Sequence, residues 1–206
     1  MLASVALLLV AGASLLGAGC GSSQTSAGIV HQASSSKYSG SLASPPAPEP
    51  PLLLHNYRGE PVNIAQYKGK AALVTFLYTH CPDQCPLIAA NLGVALNLLG
   101  PARASKVQVI AVSVDPRGDT PKSIAKFLKT HGVMGRMQYL VGSKHELARV
   151  WKAWGVGSER DASNPELINH SGLVYGVSAQ GKITTLYAAN FKPQEIVHDA
   201  PLLASS

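Results

Sequence analysis

Cys81 and Cys85 stand four positions apart in "YTHCPDQCP", residues 78–86, and a proline follows each of them. Two thiols so placed serve three chemistries: reversible disulfide exchange, a structural crosslink, or a pair of soft metal ligands. A crosslink over this short span closes a tiny loop and restrains the unfolded chain little. A four-cysteine zinc site needs a second pair, and the chain's remaining cysteine, Cys20, is alone. A metal held by two thiolates needs a further ligand. Of the seven histidines, His80 adjoins Cys81 but precedes the turn, and His31 lies in a polar linker. His55, His131, His145 and His198 fall in segments that read as surface. His170, in "NPELINHSGLVYGV", ends an irregular loop just before a strand. Two thiolates and one imidazole make a soft, low-coordinate set suited to copper, above all Cu(I). A lone histidine before a strand is as often only a hydrogen-bonding residue, so spacing alone leaves both its role and the choice between redox and metal chemistry open.

The elements that must position these residues are legible in the pattern. "AALVTFLY", residues 71–78, predicts a strand buried on both faces. "CPLIAANLGVALNLLG" has helical spacing and meets a stop at Gly100-Pro101. The thiols therefore lie where a strand gives way to a helix, whose unpaired N–H groups and positive dipole end stabilise a thiolate. If the first turn is helical, positions i and i+4 place both sulfurs on one face. "KVQVIAVSV", residues 106–114, predicts a second buried strand. Thr120-Pro121 is an N-cap with proline at the first helical position, and Ser143 to Glu146 is a capping box. "MQYLVG" predicts a short strand, "SGLVYGVSAQGKITTLYAA" a hairpin, and "KPQEIVHDAPLL" a last helix; "HNYRGEPVNIAQYKGK" predicts a small leading hairpin. The order β-α-β-α-β-α-β-β-α is the plan of an α/β, thioredoxin-like fold: a central mixed sheet flanked by helices, with an N-terminal hairpin extension. Disulfide enzymes of that type place two residues between their cysteines; here there are three.

The ends give the organisation. Residues 1–20 are apolar and free of charged side chains, as in a secretory signal or a membrane anchor. The ending "GAGC" resembles the lipobox of bacterial lipoproteins, which implies lipidation at Cys20 and an exported, membrane-tethered protein. Residues 21–51 are rich in Ser, Gly and Pro and predict a flexible tether. Residues 52–206 are long enough for one domain with a full core. The net charge is +6, and all but Lys37 and Glu49 of the charged side chains lie from Leu52 onward. The excess is scattered without basic runs or interleaved aromatics, which favours acidic partners or anionic headgroups and gives nucleic acid no specific footing.

"FLYTHCPDQCP", "VSVDPRGDTP" and "INHSGLVYGV" are similar in content, order and separation to the SCO/SenC proteins. The resemblance spans residues 52–203. It implies an exported, membrane-tethered copper metallochaperone that delivers copper, as Cu(I) or Cu(II), to the copper A centre of cytochrome c oxidase or to another copper protein. Cys81 and Cys85 match the family's thiolate ligands, His170 its imidazole ligand, and Asp115 an acidic position beside the site. Asn169 stands where members often carry an acidic residue. Members have also been argued to act as thiol-disulfide oxidoreductases on the apo-oxidase subunit, which the same two sulfurs would serve.

Overall fold

The computed structural model describes residues 36–164 and 166–206. The apolar stretch that ends at Cys20, and His31 in the linker, lie outside the described residues.

One eight-stranded sheet organises the body. At its centre β4 (Ala71–Leu77), β5 (Val107–Ser113) and β6 (Met137–Val141) run parallel, with β5 in the middle. All seven residues of β4 are buried, as befits a strand covered on both faces. Parallel neighbours need crossovers, and α1 (Gln84–Ala104) and α2 (Pro121–Thr130) supply them. On the other flank of β4 comes the expected hairpin, β9 (Leu173–Val177) and β10 (Lys182–Ala188), with β9 antiparallel to β4. Helix α3 (Lys144–Ala153) follows β6, and α4 (Pro193–Ser205) ends the chain against α1. The leading hairpin is β2 (Leu53–Asn56) and β3 (Pro61–Asn63), and β2 extends the sheet beyond β6. This is the mixed, helix-flanked sheet of the thioredoxin-like plan.

Local chemistry sets the boundaries. The Thr120 side chain accepts from the Ser123 N–H and opens α2; Ser143 accepts from Glu146 and opens α3. The stop at Gly100-Pro101 is a kink: Gly100 takes φ 70°, and one more turn runs on to Ala104. Among the described residues α1 is the one helix long and apolar enough to span a membrane, but Ile88, Ala89, Leu92 and Leu96 bury one side of it in the core.

Two departures from expectation matter. Residues 41–48, assigned to the tether, form strand β1 (Ser41–Pro48), antiparallel to β10. Composition misleads there because an edge strand needs backbone donors on one side only, so its prolines are admitted. The chain is pinned just before β1 as well. The buried Asp199 of α4 accepts the N–H groups of Ser39 and Gly40, both at 2.8 Å, and the Tyr187 hydroxyl. The packed body accordingly begins at Ser36, not at Leu52. The second departure is the loop before His170. It contains a separate two-stranded ribbon, β7 (Ser158–Arg160) and β8 (Ile168–His170), outside the main sheet. Three-residue strands are too short to announce themselves by alternation.

Candidate metal centre

The thiols sit at the carboxyl end of β4, on the loop that becomes α1. Asp83 is the N-cap of that helix and accepts the Gln84 N–H. Cys85 is thus its second residue, while Cys81 stands two positions before the cap. The sulfurs do not meet as neighbours on one helical turn, as the spacing suggested. Instead the chain curls so that the Cys85 N–H points at Cys81 Sγ, 3.4 Å away. Cys81 therefore takes one of the free donors of the helix end. Both cysteines are free thiols; Cys85 is fully buried and Cys81 is 9% exposed, so Cys81 faces the approach.

Their electrostatics differ. The Cys85 thiol beside it is the main stabiliser of a Cys81 thiolate, against the opposing effect of burial. The His170 ring and the N–H groups of Cys85 and Asp83 add to this, and the Cys81 thiol is held down at about 4. Cys85 is pushed far up, first by donating to Cys81 and then by burial. The pair at neutral pH is one thiolate and one thiol that share a hydrogen. Alkylation of the reduced, metal-free protein with iodoacetamide should therefore label Cys81 and spare Cys85. Its rate should stay nearly level from pH 8 down to about 5 and fall towards pH 4 as the thiolate protonates. Peptide mass mapping over that range checks it, and a rate that climbs tenfold per unit up to pH 8 would show an ordinary thiol.

His170 ends β8, directly opposite Ser158 of β7. Its Nε2 lies 3.7 Å from Cys85 Sγ. Its Nδ1 faces the Ser171 carbonyl at 3.3 Å. A carbonyl only accepts, so Nδ1 carries a hydrogen there, and Nε2 is the nitrogen that faces the sulfurs and that a metal ion would take. Tyr78 steadies the ring edge-on at 5.7 Å between centroids, while its hydroxyl accepts the Ile168 N–H. A sulfur and a nitrogen that ligate one ion at ~2.3 and ~2.0 Å, with tetrahedral to trigonal angles, lie about 3.5 to 3.7 Å apart. The Cys85–His170 separation suits that arrangement. Among the described residues no three such side chains already enclose a common point, so binding an ion draws the ligands inward. The donor set fits a soft ion: Cys81 and His170 line an open cleft of about 270 Å³, and Cys85 is buried behind them.

Asp115, expected beside the site, makes its contacts with β7 and with its own turn. Its carboxylate pairs with Arg160 of β7 at 2.5 Å. Ser158 Oγ donates to the Val114 carbonyl at 3.1 Å. Both contacts tie the ribbon, and so His170, to the end of β5. The carboxylate that reaches the cysteine loop is Asp119. Buried between β5 and α2, it accepts from the Thr79 N–H at 2.8 Å, Ser113 Oγ at 2.6 Å and the Tyr139 hydroxyl at 2.8 Å. It fastens the start of the loop that holds both thiols to β5 and β6. A second acidic residue three positions after "DP" was the available signal, but no local pattern says that it turns inward.

Comparison with known proteins places these features in a group. Residues 43–204 match the family model described as SCO1/SenC. The mouse mitochondrial protein SCO1 homolog is 25% identical over 150 residues; the match covers 71% of this chain and 52% of that protein, so the chain spans about half its relative's length. The apo Sco1 protein from Thermus thermophilus superposes with a TM-score of 0.70 at 27% identity, over 81% of this chain and 96% of that one. The Bradyrhizobium japonicum ScoI structure, which has copper bound, superposes with a TM-score of 0.66 at 28% identity, over 76% and 99% of the two chains.

Proposed function

The chain belongs to the SCO1/SenC family, and on that premise we propose that it is a copper metallochaperone that binds copper through Cys81, Cys85 and His170. It delivers the ion to the copper A subunit of cytochrome c oxidase or to another copper protein. It acts on the exported side of the membrane, tethered by residues 1–20 with lipid on Cys20. The observation that carries the reading is the convergence of Cys85 Sγ and His170 Nε2 at 3.7 Å beside Cys81, from elements 85 residues apart in sequence. The copper in the Bradyrhizobium japonicum relative supports the choice of metal. Ligands on the rim of a cleft suit transfer, because an incoming group can displace them one at a time.

The reading predicts about one copper per chain. Replacing His170 by alanine should weaken binding by about a hundredfold, the upper end of what loss of a partner outside the ligand set costs. Competition with a chromophoric chelator, for Cu(I) and Cu(II) separately, measures it. Equal affinities in parent and variant would remove the imidazole from the site.

A second reading rests on the asymmetry of the thiols. A thiolate that lines a cleft beside a fully buried thiol is the arrangement of a dithiol reductant. Cys81 would attack one sulfur of a partner's disulfide and release the other as a thiol. Cys85 would then lose its proton, attack Cys81, and free the second partner thiol, so two electrons pass to the partner and Cys81–Cys85 becomes a disulfide. This activity survives in His170→Ala, whereas copper delivery does not.

A further inference from the structure

Behind the metal centre lies a second cleft, of about 250 Å³, that shares Ile168 of β8 with the first as a common wall. Val114, Trp151 and Ile168 give it an apolar floor, and Arg117, Lys144 and Arg160 line its rim. The three cations come from three separate elements: the turn after β5, the first residue of α3, and β7. The positive end of α3 adds to the field at Lys144.

One rim cation is offset, because Asp115 pairs with Arg160, and the excess charge rests on Arg117 and Lys144. Glu146 turns back to accept from the Ser143 N–H and hydroxyl. Glu159 sits between Ser158 and Arg160 on β7, and alternation sends it to the opposite face from those two cleft residues. Among the described residues no carboxylate pairs with Arg117 or Lys144. The result is a cationic depression with a greasy base, one strand away from the thiols.

We propose that this cleft receives an acidic segment of the protein that meets Cys81 and His170. The inference rests on the copper-transfer reading, since it needs a protein partner at that site. Carboxylates on the segment face Arg117 and Lys144, and an apolar side chain between them covers Trp151. Seated there, the segment holds the partner beside the metal cleft and in a fixed orientation. Complementary charge of this kind acts mainly on encounter rate and on rejection of wrong partners. An open trough suits a length of chain better than a small enclosed anion.

The test uses the full-length chain and a synthetic acidic hexapeptide, acetyl-Asp-Glu-Leu-Asp-Glu-Leu-amide, titrated by calorimetry at low salt. Binding to the parent should weaken more than tenfold in the double variant Arg117→Glu, Lys144→Glu. It should change less than threefold in Lys68→Glu, Lys182→Glu, which carries the same charge reversal in a separate depression. The neutral pair Arg117→Gln, Lys144→Gln should fall between, and it serves if the reversal disturbs folding. Equal losses in both reversal variants would reduce the effect to net charge and overturn the proposal, as would a parent that does not bind the peptide. Inorganic phosphate that binds as tightly as the peptide would make the cleft a small-anion site instead. Copper stoichiometry of the Arg117→Glu, Lys144→Glu variant should equal the parent's. If the parent itself takes up no copper, the copper reading fails while the peptide result still stands or falls by itself.

Discussion

Copper retention is expected to vanish when Cys85 is replaced by serine, with affinity for Cu(I) lower by well over the hundredfold expected for His170→Ala. A hydroxyl is a hard, neutral donor and does not replace a thiolate on a soft ion. The structure adds a second consequence. Cys85 supplies the hydrogen that stabilises the Cys81 thiolate and donates its backbone N–H to the same sulfur. The serine hydroxyl can still donate, so Cys81 should keep a lowered pKa although metal is lost, and its alkylation at pH 6 should persist. The same asymmetry fixes the proton count. Cys81 has already ionised at neutral pH, whereas Cys85 has not, so loading one copper on both sulfurs releases about one proton per chain at pH 7. Calorimetry in two buffers of different ionisation enthalpy measures that release. A release near two would mean that both sulfurs start protonated, and none at all would mean that Cys85 keeps its hydrogen.

The largest effect on stability is expected at Asp119. Replacement by alanine strands three buried donors, the Thr79 N–H and the hydroxyls of Ser113 and Tyr139. At about 1 to 3 kcal/mol for each stranded group, offset in part by removal of a buried carboxylate, the loss should be about 3 kcal/mol or more. Asn should cost much less. Its amide oxygen can keep the Thr79 N–H, while the Ser113 and Tyr139 hydroxyls rotate to accept from its NH₂. Burial raises the Asp119 pKa. With the folded value above the unfolded one, the favourable contribution of this group is fully present below the unfolded pKa and fades as pH rises through the folded value. The penalty of Asp119→Asn should therefore be larger in acid than at neutrality. Urea unfolding at pH 4 and pH 7 tests both statements, and an alanine variant as stable as the asparagine one would show that the carboxylate is not the fastening point.

Sequence and structure agree most closely where a pattern is local. The buried run before Tyr78 and the caps at Thr120 and Ser143 are written in a few consecutive residues, and each is where it was expected; Gly100-Pro101 breaks the helix there too, although as a kink and not an end. So is the loop that bears Cys81 and Cys85, because strand, thiols and helix adjoin. What depends on tertiary pairing was not legible. Strand β1 exists because β10 is beside it, and nothing in "SLASPPAP" predicts that partner. The ribbon that delivers His170 is held by Arg160 on Asp115 and Ser158 on Val114, contacts between segments more than forty residues apart. Asp119 shows the same limit: three of its partners' atoms come from three elements, and only the assembled fold brings them to one carboxylate.

The two outermost strands of the sheet, β1 and β3, both carry proline: Pro45, Pro46 and Pro48 in the first and Pro61 in the second. A proline offers no donor to a neighbouring strand. Each rim of the sheet is thereby blunted against the strand-by-strand stacking that seeds fibres. A second copy that meets either rim finds gaps in the row of donors it would have to pair, so edge-to-edge addition of one copy to another is disfavoured.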